Sequence, residues 1–393
     1  MILRRIVLSL MLLSLVSGCR QSIPYQDIHR KAIVADLHCD TALRLRHGFD
    51  LAKRDTTGDV DLPRLRQGGV DLQVFACWIP TSTPKDKCRS EVDRLIDSLD
   101  AQIARNHDQI AICRTAVEAQ RIVDHHRIAA FLGIENGVAI NDSLENLQHF
   151  YDRGIRYMTL THTASNDWCI SSADTAPAFH GLTDFGRQVV REMNRLGMIV
   201  DVSHASPATV EEVLKITTKP IIASHSCVYA LCPSDRNLTD DQIRAIAKNG
   251  GVIGVNFFTG YLSADVKRVS DSMYRANKRE VDSIRTLYKD DPTARYKALA
   301  PLDSAEMRET AKYPVTVATL VDHIDYIVKL VGPDYVGLGS DFDGIPSLPS
   351  GLDDCSKLPN VTKELVRRGY SDLDIAKILG GNFMRVFRQV CGS

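Results

Sequence analysis

Past its first few residues the sequence has no stretch long and apolar enough to cross a membrane, no CxxC cysteine pair, no low-complexity linker, and a formal net charge of only −1. Each absence removes a class. Without a spanning run, the chain after Cys19 reads as a globular body of ordinary composition, 25% charged. The missing CxxC pairs exclude a structural zinc site of the finger kind. Near-neutral charge argues against a nucleic-acid partner. With no linker, residues 31–393 read as one domain, of a size that suits a single barrel of alternating strands and helices with insertions.

The amino terminus does carry a signal. Met1-Ile2-Leu3-Arg4-Arg5 gives a charged start, Ile6–Val16 an apolar core too short to span a bilayer, and Ser17-Gly18-Cys19 the small residues of a cleavage site. Val16-Ser17-Gly18-Cys19 resembles a bacterial lipobox, so residues 1–18 are expected to be a lipoprotein signal peptide, Cys19 the lipidated residue and 19–30 a short tether. More than one acyl chain anchors stably, which predicts a tethered protein of the bacterial cell envelope. Arg20, where an aspartate would favour the inner membrane, points to the outer membrane and its periplasmic side. Nine cysteines follow Cys19, an odd count that leaves at least one thiol unpaired; Cys77 with Cys88 is a candidate loop bridge, and connectivity is beyond the sequence.

Eight short apolar runs recur along the chain: Ile33–Leu37, Val70–Phe75, Ala129–Ile134, Tyr157–Leu160, Met198–Val202, Ile221–Ala223, Val252–Asn256 and Tyr335–Leu338. Helix-period segments separate them, among them Glu91–Arg105, Thr183–Leu196, Ser206–Ile216, Thr239–Lys248 and Thr316–Leu330. Strand and helix alternating eight times predicts an α/β fold, a (β/α)8 TIM barrel, with a doubly wound open sheet as the alternative. Ser263–Lys312 breaks the rhythm as a charged helical insertion, read as Val266–Tyr288 and Ala294–Lys312, and two helices are expected within Leu358–Val390.

Chemistry-bearing residues gather just past the ends of these runs. His38 and Asp40 follow the first, two apart and so on one face of an extended chain. Glu135, His204, His225 and Asp341 follow four of the others. In a barrel all such ends lie at one face, where active sites of this fold are assembled. Three imidazoles and two carboxylates suit two zinc-like ions, and Glu135 can bridge them because a carboxylate has two oxygens. Ions about 3.5 to 4 Å apart share a water and bring its pKa toward neutrality, giving a bridging hydroxide. Asp341 is the candidate to move the proton. Asp343 competes for that role, but it stands farther from the strand end and Asp343-Gly344 has the composition of a turn. His29, His47, His107, His125, His126, His149, His180 and His323 read as solvated, and Trp78 and Trp168 as packing residues.

The ordered set HxD, IENG, THTASN, DVSH, IIASHS, DRN and GSDFDG resembles the renal, or membrane, dipeptidase family of zinc peptidases, within the broader amidohydrolase barrels, from Ile33 to Val390. The resemblance implies two zinc ions, one held by His38 and Asp40, the other by His204 and His225, with Glu135 bridging. It implies proton transfer by Asp341, contact of His162 with the scissile peptide's oxygen, and capture of the substrate's terminal carboxylate by Arg236, with Tyr261 in the same pocket. The implied activity is hydrolysis of free dipeptides whose second residue is of either hand, in a homodimer. Two other readings stay open: a related amidohydrolase acting on N-acyl amino acids, lactams or other amides, and a lipid-anchored binding protein without catalysis. Ala164, where family members often carry a disulfide cysteine, and the long insertion depart from the pattern.

Overall fold

The computed structural model describes residues 24–46, 48–288 and 292–392. The expected signal peptide, Cys19 and His47 lie outside the described residues. Nine strands form among the described residues: β1 (Ala35–Asp36), β2 (Leu72–Trp78), β3 (Ile110–Ile112), β4 (Ile128–Glu135), β5 (Ile155–Thr159), β6 (Ile199–Asp201), β7 (Ile222–Ala223), β8 (Val252–Val255) and β9 (Val336–Leu338). All pair in parallel, in the order β2-β1-β9-β8-β7-β6-β5-β4, and β2 pairs with β4 to close the ring. These eight ring strands are the eight apolar runs of the sequence, and the fold is a (β/α)8 barrel. Parallel strands covered on both faces need apolar residues on both, which is why the runs are continuous: every residue of β4 is buried.

β3 stands outside the ring. It pairs with Ile128 to Ala130 at the start of β4, and β5 takes the same edge from Leu132 onward. Side chains that point into the ring, among them Val74, Phe131, Tyr157 and Ile199, form an inner core. The helix Asn382–Cys391 floors it, with Phe383 and Phe387 edge-on to Phe131 at ring-centroid distances of 5.5 and 4.9 Å. Alternate strand residues face outward into a larger core beneath the helices. Three of those helices start where a hydroxyl accepts an otherwise free amide: Thr183 from Gly186, Ser206 from Thr209 and Thr239 from Gln242.

The insertion is a pair of helices, Ala264–Leu287 and Pro292–Thr310, after β8 and the short helix Thr259–Leu262. Its first helix buries only Val266 and Val281. The carboxyl-terminal segment forms the expected two helices, the second opened at Asp372 and interrupted at Gly380-Gly381. Pro359–Arg367 is followed by Asp372–Ala376, which runs through a π turn at Lys377–Gly381 into Asn382–Cys391, so Gly380-Gly381 kinks the helix without ending it.

Three expectations are corrected. Cys77 and Cys88 form no bridge; all nine described cysteines are free thiols. Cys77 is wholly buried on β2, and Cys88 Sγ turns back to the carbonyls of Thr83 and Pro84. His29 is buried, with Nδ1 2.6 Å from Thr362 Oγ1 and Nε2 2.9 Å from the Gly68 carbonyl. His323 is buried as well. No helix among the described residues is long and apolar enough to cross a membrane.

Candidate active site

The carboxyl ends of the ring strands bring the candidate ligands together. Glu135, the last residue of β4, stands at the centre: its Oε2 is 3.5 Å from His38 Nε2, and its Oε1 is 3.0 Å from His204 Nε2, 3.4 Å from His225 Nε2 and 3.8 Å from His162 Nε2. His38 Nε2 also lies 3.7 Å from Asp40 Oδ2 and 3.9 Å from Asp341 Oδ1. His204 and His225 point their Nε2 atoms at each other, 3.0 Å apart. His38, Asp40, Glu135, His204, His225 and Asp341 are all buried, and His162 keeps about a fifth of its side chain exposed at the mouth.

Two aspartates that sequence reasoning passed over set this geometry. Asp36 on β1 accepts the Ser340 amide (2.8 Å) and hydroxyl (2.6 Å), and so clamps the residue before Asp341. Gln73 donates to the same carboxylate at 2.8 Å. Asp201 on β6 accepts the Ser224 amide (2.9 Å) and hydroxyl (2.6 Å), clamping the residue before His225, together with the Ser203 amide at 3.0 Å. The signal was an acid inside an apolar run, Ala35-Asp36-Leu37 and Val200-Asp201-Val202. His204 and Asp341 both turn through left-handed backbone, at φ +65 and +62, a conformation that costs a residue with a Cβ about a kilocalorie or more and is held by such surroundings.

The clamps also fix protonation. The Ser224 hydroxyl donates its one proton to Asp201, so its oxygen accepts from His225 Nδ1 at 2.7 Å and leaves Nε2 with a lone pair facing Glu135. On the other side the Tyr157 hydroxyl, 2.8 Å from His38 Nδ1, donates toward the Leu37 carbonyl and orients His38 Nε2 in the same way. Tyr157 fits because Gly133 has no side chain; a Cβ there would meet the tyrosine ring at 2.5 Å.

This donor set fits metal ions. His38 Nε2 and Asp40 Oδ1 are buried with no hydrogen-bond partner, an expensive state for a polar atom unless something else satisfies it. Three sets of ligand atoms each lie within 4.8 Å of one another: His38, Glu135 and His225; Glu135, His162 and His204; His38, Asp40 and Asp341. Protein charge alone leaves the cluster unbalanced. Burial and the Glu135 carboxylate push Asp40 up, and burial with the Asp40 and Glu135 charges pushes Asp341 up to about 8, despite His38 beside both. Burial also raises Glu135, but the surrounding imidazoles, His38 foremost, outweigh it and hold that carboxyl well below its usual range. Burial drives His204 and His225 well below theirs, which suits neutral ligands.

Asp343 is not part of the cluster. Its oxygens accept the Asp59 amide (2.8 Å) and the Thr41 hydroxyl (2.7 Å), with Arg44 at 3.4 Å, so it pins the loop. Arg236, in the loop after β7, donates Nη1 to Ser226 Oγ (3.1 Å) and Nη2 to the His225 carbonyl (2.9 Å), while its buried Nε has no partner. Its guanidinium carbon is 5.6 Å from the centre of the Tyr261 ring. Trp168 packs, as expected, whereas Trp78 is half-buried at the end of β2 with its ring 5.3 Å from that of His162, edge to face.

Known proteins are similar to this chain in sequence and fold. The family model for membrane dipeptidase, peptidase family M19, matches residues 24–392. Dipeptidase 3 of Mus musculus is 31% identical over 367 residues, which cover 91% of this chain and 64% of that protein; for Dipeptidase 3 of Rattus norvegicus the figures are 31%, 91% and 65%. The chain thus spans just under two thirds of the length of these relatives. Among solved structures, the probable dipeptidase PvdM from Pseudomonas aeruginosa superposes with a TM-score of 0.78 at 28% identity, covering 93% of this chain and 97% of that one. The metallopeptidase dipeptidase AC gives 0.75 at 25% identity, covering 92% and 99%. With a family match over nearly all the described residues and one strand-end cluster assembled by the same barrel, the chain belongs to the membrane dipeptidase family, peptidase family M19.

Proposed function

We propose that this protein is a zinc-dependent dipeptidase that hydrolyses the single peptide bond of free dipeptides, with an L- or D-residue in second place. One observation carries the reading: a buried set of orphaned imidazole and carboxylate atoms around Glu135 lies beside the buried arginine Arg236, whose Nε is free to donate. A guanidinium at that place suits a carboxylate one residue from the scissile bond, which limits the substrate to something as short as a dipeptide. The names of the relatives, Dipeptidase 3 and dipeptidase AC, support the same class.

In this reading His38 and Asp40 would hold one zinc ion and His204 and His225 the other, with Glu135 placed to serve both. When bound, the ions supply Lewis acidity and a water that ionises near neutral pH. The chain's own groups do the rest. Arg236 and Tyr261 seat the terminal carboxylate. His162, at the mouth, donates to the peptide oxygen as negative charge grows on it. Asp341, whose Oδ2 is held by the Asn256 amide at 2.8 Å, takes the proton of the attacking water on its other oxygen and delivers it to the leaving amine. The proposal extends to location and assembly: a homodimer anchored by lipid on Cys19 in the outer membrane, facing the periplasm.

The test is a substrate panel on purified, zinc-loaded enzyme, with dipeptides differing in chirality at the second residue beside N-acyl amino acids and lactams. Cleavage of dipeptides, with loss of affinity for them in Arg236→Ala, is expected. Turnover of the acyl compounds alone would move the enzyme to the amidohydrolase alternative, and a metal-loaded, folded protein inert to all of them would leave a binding protein. Mass spectrometry of the membrane fraction checks acylation of Cys19, and sedimentation the dimer.

A further inference from the structure

His323 belongs to the helix Val317–Val331, in the outer layer of the barrel, and is 1% exposed. Its Nδ1 accepts the Val228 amide at 3.1 Å, and its Nε2 lies 3.0 Å from the Leu262 carbonyl. A backbone amide only donates and a carbonyl only accepts, so the two bonds require the neutral ring with its proton on Nε2. The two partners are not equivalent to any pair of core atoms. Val228 opens the loop that carries Arg236, and Leu262 closes the helix Thr259–Leu262 that carries Tyr261. That loop is a unit: Val228 bridges to Leu238, and the Tyr229 amide donates to the Leu238 carbonyl at 2.9 Å. Its tie to the Tyr261 helix is otherwise made by the Asn237 side chain, which donates to the Tyr261 carbonyl at 2.8 Å, and by Cys232 Sγ on the Gly260 carbonyl at 3.5 Å.

We propose that His323 is a positioning residue for the substrate's terminal carboxylate: by holding the Val228 amide and the Leu262 carbonyl at once, it sets the spacing between Arg236 and Tyr261. The proposal rests on the reading that Arg236 receives that carboxylate. Packing alone would be served by leucine, which is close to histidine in size. What leucine lacks is the paired acceptor and donor; with the Val228 amide and Leu262 carbonyl unsatisfied, the separation rests on the Asn237 and Cys232 contacts alone. Glutamine does carry an acceptor and a donor side by side, as the imidazole does.

Zinc-loaded His323→Leu and His323→Gln are compared with the parent on a free dipeptide and on the same dipeptide as its carboxyl-terminal amide. In the leucine variant KM for the free dipeptide is expected to rise roughly tenfold, the scale of one charge-assisted contact, with a smaller change in kcat. Its preference for the free dipeptide over the amide, as a ratio of kcat/KM, falls by a similar factor, and His323→Gln restores both. His323→Asn, whose shorter amide reaches one partner only, gives the same KM rise and serves should the leucine variant not fold. An unchanged KM in a folded His323→Leu or His323→Asn, an equal loss on free dipeptide and amide, or no rescue by glutamine overturns the proposal. Arg236→Ala separates the two claims. If it leaves the preference for the free dipeptide intact, the carboxylate reading of Arg236 fails; if it abolishes the preference while the His323 variants do not, only the positioning role falls.

Discussion

Replacing Asp201 by Asn is the sharpest probe of how the ring prepares its ligands. The carboxylate serves four donors: Oδ1 takes the Ser203 and Ser224 amides, and Oδ2 takes the Thr159 and Ser224 hydroxyls, each of the last two at 2.6 Å. The amides cannot turn, so the asparagine oxygen must stay with them and its NH2 group is left facing the hydroxyls. Ser224 then turns its proton the other way, to His225 Nδ1, 2.7 Å distant. His225 responds by moving its own proton to Nε2, the atom that faces Glu135 at 3.4 Å, and it ceases to be a ligand there. Loss of an orienting contact of this kind weakens metal binding by about 10- to 100-fold, or roughly 1.4 to 2.7 kcal/mol. Exchanging the charge-assisted bonds from the Thr159 and Ser224 hydroxyls for neutral ones costs the metal-free fold a further 1 to 3 kcal/mol or so. Competition with a chelator measures the affinity, and nitrogen shifts of the imidazole rings in metal-free protein report the tautomer. A folded Asp201→Asn with parental affinity and the His225 proton still on Nδ1 would refute the relay.

Three other outcomes are expected. Gly344→Ala brings a Cβ within 2.0 Å of Asp40 Oδ2 and 2.7 Å of Asp341 Oδ1, so metal content and turnover should fall together while circular dichroism stays unchanged; full activity would mean that the loop gives way. Asp341→Asn should lose at least two orders of magnitude in kcat with its metal retained, whereas Asp343→Asn should lower the melting temperature and keep most of kcat; the reverse pattern would transfer the proton role. Burial pushes Asp71 up to about 6, opposed by its bond to the Val34 amide. A folded pKa above the unfolded value means that the ionised form costs stability, fully above pH 6 and less as pH falls toward about 4. Asp71→Asn should therefore stabilise by on the order of 2 kcal/mol at pH 8 and by nothing at pH 4, and thermal melts showing destabilisation at pH 8 would reverse the sign.

The barrel was legible because its physics is local. Strands buried on both faces must be apolar throughout, so Ala129–Ile134 and its seven counterparts stand out, and the candidate ligands at strand ends follow them in order. β3 did not stand out because Ile110–Ile112 lies outside the ring and borders only the first three residues of β4. Other misses share a different cause. Asp36 and Asp201 act on the serine of the neighbouring ring strand, and which strands are neighbours is a property of closure, not of any window of residues. His29 sits among polar neighbours in sequence but under another segment in space, whereas His323, three after Leu320 and four before Ile327, stands on the apolar face of its helix and was legible from that spacing. Cys77 and Cys88 are close along the chain, yet closeness says nothing about where each thiol points. The choice of Asp341 over Asp343 rested on distance from the strand end, and the engagement of Asp343 by Thr41, Asp59 and Arg44 is the structural counterpart of that argument.

The helix that floors the barrel has a consequence for how the molecule is made. Phe383 and Phe387 follow all nine strands, so a ribosome delivers Phe131 and Tyr157 long before their cover exists. A nascent chain halted before Asn382 holds the makings of a ring whose centre is open to water, and the inner core can dry only after synthesis has passed the last turn of that helix. Closure of the inner core thus waits on the carboxyl-terminal helix, and a chain that lacks it leaves the ring's apolar interior uncovered on that side.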